Sequence, residues 1–368
     1  MKVCHLTSVH IRYDVRIFHK ECCSLEKNGY HVSLIVADSK GDEIKNGVKI
    51  IDVGISTKSR LLRMLKTTKA VYKKAIEVDA DVYHFHDPEL IPYGLRLIKK
   101  GKKVIYDVHE SVVKDILCKK WIPGILRKII SKSFERLEQY AIKRFTAVVT
   151  ATPSIAETLK NGKRVLVINN YPILSLQNEV PLPSWSSRQN TCIYIGDLTE
   201  VRGVLTTIES VGLSKSRLVL GGSFTEPMIE ERAQQTKGWE KVDYLGYVNR
   251  AQFNNVLDKS KIGLVLLHPI PTFIDSLPTK LFEYMSRALP VLCSDFPLWK
   301  EIVEESQCGI CVNPFDFHKV AEAINFLIDN PEKAKEMGVS GQNAVREKYN
   351  WATQEEILLD LYCSLSSG

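Results

Sequence analysis

Short runs of β-branched and aromatic residues recur through the first half of the chain, at residues 3–6, 31–36, 82–85 and 103–106. Between them, at residues 19–28, 61–77 and 90–100, apolar side chains fall three and four apart. Strand-length runs alternating with helical spacing predict a parallel sheet with helices on both faces. Residues 147–151 and 165–168 read as the last strands of this unit, and Asn28-Gly29 as the close of its first helix. A Pro-rich, polar stretch over residues 171–184 reads as a linker. The alternation then restarts at residues 191–195 and continues through 217–220, 242–245, 262–267, 291–292 and 310–312. Residues 332–349 and 354–365 have the spacing of two closing helices. The pattern as a whole predicts two α/β domains, with no internal repeat.

At 368 residues the chain can bury two separate cores. It contains no run of 18 apolar residues, and residues 1–6 read as a strand and not as the apolar core of a signal peptide, so a cytoplasmic protein is expected. Residues 1–185 hold 32 Lys+Arg against 19 Asp+Glu, a balance of +13, and the remainder holds 18 against 24, a balance of −6; together they give the net +7. The basic half calls for an anionic partner: nucleic acid, membrane or substrate. Between Lys114 and Lys132, cations alternate with Ile, Leu and Trp121, as in a helix lying in a membrane interface or one packing its apolar stripe inward. Aromatic side chains for stacking on bases are thin there, Trp121 and Phe134 alone, so no nucleic acid is expected. Nine scattered cysteines with one CxxC, Cys308 and Cys311, lack the second ligand pair of a zinc site. No metal and no cofactor are expected.

Chemistry concentrates between Asp275 and Pro297. A polar loop, Asp275-Ser276-Leu277, runs into Pro278, where helical spacing begins; proline suits a first helical turn. Unpaired amides and the positive end of the helix then make an anion site around Ser276, Leu277, Pro278 and Thr279. Lys280 suits a phosphate, and Glu283, three residues on, suits sugar hydroxyls. Gly221-Gly222 and Gly246-Tyr247 end strands and offer close backbone approach to a ligand. His86 and His109 each follow a strand, the side on which ligands gather in such sheets. Asp14 and Arg16, in the turn after the first strand, read equally as ligand contacts or as a helix cap and a surface cation. Asp79-Ala80-Asp81 reads as a turn before a strand.

The stretch Pro-x-Lys-Leu-Phe-Glu-Tyr-Met from Pro278, together with "YHFHDPEL" and "VIYDVHE", resembles the family 4 glycosyltransferases, in a branch common among bacterial surface-polysaccharide enzymes. The resemblance implies the GT-B fold: two Rossmann-like parallel-sheet domains facing a cleft. Residues 1–180 form the acceptor-side domain, 181–350 the nucleotide-sugar domain, and the helix over 351–368 packs back on the first. It also implies metal-independent hexosyl transfer, with retention, from a nucleotide diphosphate sugar, a UDP-sugar being favoured. The acceptor is a glycan or lipid-linked oligosaccharide, and the enzyme sits peripherally on the inner face of the cell membrane. Asp275 and Glu283 take the places of the family's Glu-x7-Glu pair, holding sugar and ribose. His109 lies near the donor sugar and reaches it on domain closure. Arg202 replaces the family's lysine on the diphosphate, while Asp197 stands where an arginine is usual and Ala288 where a glycine is usual. A sugar-nucleotide epimerase or hydrolase of the same fold, and a nucleic-acid-binding α/β protein, are the alternatives.

Overall fold

The computed structural model describes residues 1–55, 57, 59–119, 121–174 and 182–366. The chain divides into two compact units, Met1–Asn170 with Trp351–Gly368, and Tyr171–Asn350. The domain boundary expected between residues 180 and 181 lies outside the described residues.

Unit 1 carries β1 (Lys2–Leu6), β2 (His31–Val36), β3 (Glu43–Lys45), β4 (Val48–Asp52), β5 (Val82–Phe85), β6 (Lys103–Val108), β7 (Ala147–Thr150) and β8 (Val165–Val167). They form one sheet in the order β3-β4-β2-β1-β5-β6-β7-β8. Every pairing is parallel except β3 with β4. That hairpin departs from the alternation expected of this half. Its two-residue turn, Asn46-Gly47, has φ of 50° and 82°, the positive values a tight hairpin turn requires. The first helix also begins earlier than its apolar spacing suggests, running Val15–Cys22 in widened turns and then Cys23–Lys27. Asp14 starts it by accepting hydrogen bonds from the amides of Arg16 and Ile17 at 2.8 and 2.9 Å. Between Lys114 and Lys132 there are two helices, Val112–Cys118 and Gly124–Ile142, with Pro123 at the break. The closing helix, Trp351–Ser366, is fastened by polar contacts: Trp351 Nε1 donates to Ser24 Oγ at 2.9 Å, and the Asn169 amide donates to Gln354 at 2.8 Å.

Unit 2 is a six-stranded, all-parallel sheet: β9 (Thr191–Ile195), β10 (Arg217–Gly221), β11 (Val242–Gly246), β12 (Ile262–Val265), β13 (Val291–Ser294) and β14 (Gly309–Val312), in the order β11-β10-β9-β12-β13-β14. Alternate residues of β9 feed separate cores on the two faces, Ile193 and Ile195 one and Cys192 and Tyr194 the other. No described helix in either unit is long and apolar enough to cross a membrane.

Candidate functional site

In unit 2, three neighbouring strands end in glycines whose backbones are bonded in series. The Gly196 amide donates to the Gly221 carbonyl at 2.9 Å, and the Gly222 amide to the Gly246 carbonyl at 2.7 Å. Gly222 has φ of 132°, and a Cβ there would fall 1.7 Å from the Gly196 carbonyl oxygen, so only glycine permits the approach. Tyr247 follows, 80% exposed.

The helix expected from Pro278 spans Thr279–Ser286, with Pro278 as the residue preceding its first turn. Leu281, Phe282, Tyr284 and Met285 are buried, and the Tyr284 hydroxyl accepts from the Ile195 amide at 3.3 Å, fixing the helix against β9. The preceding loop is also anchored: buried Trp299 donates its Nε1–H to the Ser276 carbonyl at 2.6 Å, and Ser276 Oγ donates to the Phe273 carbonyl at 2.9 Å. Leu277 packs on the core, and Asp275 closes the short helix Pro271–Ile274. Lys280 lies across Gly196, its Nζ 2.7 Å from where a Cβ on that glycine would stand. Burial lowers the Lys280 pKa; Glu283 and Asp197 oppose that and Arg202 adds to it, so these four charges share one neighbourhood. Arg202 is held by the turn Glu200–Arg202, pairs with Asp197 at 3.2 Å and lies over the Phe273 ring. Glu283 pairs with Arg250 at 2.5 Å. No local pattern in the chain marks Trp299 or Arg250 for this neighbourhood, beyond the tryptophan's place two residues after Pro297.

In unit 1 the ends of β1, β5 and β6 carry a dense polar network. Asp107 accepts from His109 Nε2 at 2.8 Å and from His86 Nδ1 at 3.0 Å, and takes Arg16 in a two-pronged pair at 2.9 and 2.8 Å. Burial alone would raise the Asp107 pKa, but Arg16 and the two histidines hold it well below the ordinary range. As a carboxylate it can only accept, so His86 keeps its proton on Nδ1 and receives one from His5 Nδ1, 3.0 Å from its Nε2. Burial lowers the pKa of His86 to about 4, and holds those of His5 and His84 well below the ordinary imidazole range, leaving all three neutral. His109 is half-buried beside His10, with ring centroids 5.0 Å apart, and these two imidazoles form the open edge of the network.

Two residues taken from the first loop and one from the next are thus placed differently from a substrate contact. Asp14 is the helix cap. Arg16 is 3% exposed and occupied by Asp107, so it is no surface cation either. His86 is equally enclosed. Asp79 caps a helix with φ of 46° and pairs with Lys102, the structural role its turn suggested.

A third feature is an apolar face on unit 1. Leu117, Trp121, Ile125, Leu126, Ile129 and Ile130 are all exposed there, among Lys119, Arg127, Lys128 and Lys132. A similar set, Leu61, Leu62, Met64 and Leu65, is exposed on the helical stretch that begins at Arg60.

Residues 16–171 match the model of glycosyltransferase family 4, and residues 182–344 that of the glycosyl transferases group 1. The phosphatidyl-myo-inositol mannosyltransferase of Mycobacterium leprae is 21% identical over 80% of this chain and 76% of its own. The O-antigen chain mannosyltransferase C of Escherichia coli is 21% identical over 79% of this chain and 77% of its own. Among solved structures, Anabaena Alr3699/HepE in complex with UDP-glucose superposes with a TM-score of 0.73 at 15% identity, covering 99% of this chain and 100% of that one.

Proposed function

Because the chain belongs to the family 4 glycosyltransferases, with their GT-B fold, we propose that it transfers a hexosyl group from a nucleoside diphosphate sugar to a glycan or lipid-linked acceptor in cell-surface polysaccharide assembly. UDP is the favoured nucleotide, and the anomeric configuration is retained. The observation that carries this reading is the pairing of Lys280 and Arg202 beside the glycine-ended strands of unit 2. In the transfer, the bond from the anomeric carbon to the phosphate oxygen breaks and its electrons remain on the diphosphate. A bond forms from the acceptor oxygen to the anomeric carbon, and the acceptor's proton passes to the leaving phosphate. Lys280, Arg202 and the amides before Leu281 offset the charge that builds on the diphosphate. Asp197, now paired with Arg202, holds the guanidinium until a phosphate displaces it. Asp275 orients the sugar, Glu283 the ribose, and Tyr247 offers an aromatic face to the base. In unit 1, His109 has its Nε2–H committed to Asp107, which leaves Nδ1 as an acceptor. Support for UDP comes from the bound ligand of the Anabaena structure, and support for the acceptor class from the two mannosyltransferases. The exposed apolar and basic face of unit 1 suits an anionic membrane surface, where a lipid-linked acceptor would be met.

The test is product analysis with UDP-, GDP- and ADP-hexoses, a glycolipid acceptor and no added divalent cation. Transfer with release of one nucleoside diphosphate and preserved anomeric configuration is expected. Release of free sugar or an epimerised donor despite the acceptor would instead identify a hydrolase or epimerase.

A further inference from the structure

His84 lies in β5 and His86 two residues on, just past its end, and His5 of β1 is the direct register partner of His84. Glu21, from the first helix, lies over all three. Its Oε2 is 3.9 Å from His5 Nδ1 and 4.0 Å from both His84 Nε2 and His86 Nε2, and all four side chains are fully enclosed. Glu21 Oε2 and His84 Nε2 have no hydrogen-bond partner among the described residues, and Glu21 Oε1 has an ion pair with Arg16 in place of one. Native proteins rarely leave such groups orphaned, and an ion or a water commonly explains the exceptions. His5 Nδ1, His84 Nε2 and His86 Nε2 thus gather within 4.0 Å of Glu21 Oε2; His5 Nδ1 and His86 Nε2 share a hydrogen bond at 3.0 Å, which an ion would replace. The three separations from Glu21 Oε2 are slightly wider, and the 3.0 Å between His5 Nδ1 and His86 Nε2 slightly narrower, than the ~3.4 Å between donor atoms around a four-coordinate ion with bonds of about 2.0–2.1 Å.

The far sides of the rings are arranged as they are in ligating histidines. His86 Nδ1 is held by Asp107 at 3.0 Å and His84 Nδ1 by the Tyr362 hydroxyl at 2.9 Å. His5 Nδ1 is freed if its proton moves to Nε2, 3.4 Å from the same hydroxyl oxygen. Arg16 lies against the cluster, with Nε 3.1 Å from Glu21 Oε1. It touches the carboxylate oxygen turned away from the imidazoles, and its charge is matched by Asp107.

We propose that Glu21, His5, His84 and His86 bind one divalent transition-metal ion as an enclosed structural centre of unit 1. Three imidazoles and a carboxylate favour zinc. With no opening for a substrate, the ion would enter as the unit folds and would take no part in sugar transfer.

The test is elemental analysis of the full chain purified from zinc-supplemented cells. About one equivalent per chain is expected, falling below roughly a fifth in Glu21→Gln and in His84→Gln, and unchanged in Cys311→Ser. Protein unfolded with a chelator and refolded with zinc should melt on the order of 5 °C higher than protein refolded without it. Less than about a fifth of an equivalent of any transition metal in the unaltered protein would overturn the proposal, as would full metal content in both cluster variants. Should those variants fail to fold, the unaltered protein refolded with cobalt decides. A spectrum of nitrogen and oxygen ligands supports the site, and a thiolate charge-transfer band moves the ion to the cysteines and sinks it.

Discussion

Replacing Lys280 by methionine separates charge from packing. The unbranched methionine still covers Gly196, where the lysine stem now lies, but the ammonium is lost. A unit charge about 4 Å from a developing phosphate charge, at an effective dielectric of about 20, contributes about 4 kcal/mol. That corresponds to roughly a thousandfold in rate. The partial burial that lowers the Lys280 pKa makes the effect here larger than at Arg202, which is a third exposed and screened by water. Since the charge grows only as the glycosidic bond breaks, the loss should fall on kcat, about 10²–10³-fold, with the donor KM rising by less than about tenfold. Single-turnover release of nucleoside diphosphate measures the chemical step directly. A kcat within about fivefold of the unaltered enzyme would refute the assignment of the leaving-group charge to this side chain.

Ala288 ends the helix Thr279–Ser286 with φ of 55°, its amide bonded to the Met285 carbonyl at 2.9 Å and the next amide to Tyr284 at 3.1 Å. Ala288→Gly relieves that strain and should stabilise the protein by about 1 kcal/mol, read as a shifted denaturant midpoint with unchanged slope. Glu138 is buried beside the Tyr106 hydroxyl at 3.1 Å, and its pKa is pushed up from 4.5 to about 7, chiefly by burial. The folded state then holds this proton more tightly, so stability is full below pH ~4.5, falls as pH rises to about 7 and stays lower above it. Glu138→Gln should therefore add about 3 kcal/mol at pH 8 and almost nothing at pH 4, a pH dependence that equilibrium unfolding would reveal or refute. Co-sedimentation with vesicles rich in anionic lipid should fall about tenfold or more when Trp121 and Ile125 are both changed to serine; undiminished binding would move the membrane contact elsewhere.

The sheets were legible because alternation of short apolar runs with helical spacing is a local property. So was the helix Thr279–Ser286, where Pro278, Lys280 and Glu283 lie within six residues. The β3–β4 hairpin was equally available in Asn46-Gly47 but is too short to register as strand periodicity. The unit 1 network could not be read in this way. His5, His84, His86 and Asp107 meet because β1, β5 and β6 are adjacent in the sheet, Glu21 and Tyr362 are brought to them by the first and last helices, and nothing local to Arg16 says that its partner lies 91 positions on. Asp14 looked ambiguous for the opposite reason: its side chain does locally what any helix-capping aspartate does.

The hydroxyl of Tyr362 touches His84 across 278 positions of chain. Trp351 and Gln354 reach back to Ser24 and Asn169 in the same way. During translation the earlier-made half therefore waits, with those histidines short of a partner, while the ribosome works through the whole of the second unit at roughly 5–20 residues per second. Unit 2, contiguous from Tyr171 to Asn350, has no such delay and can mature first. Completion of unit 1 thereby depends on residues made after the whole of unit 2.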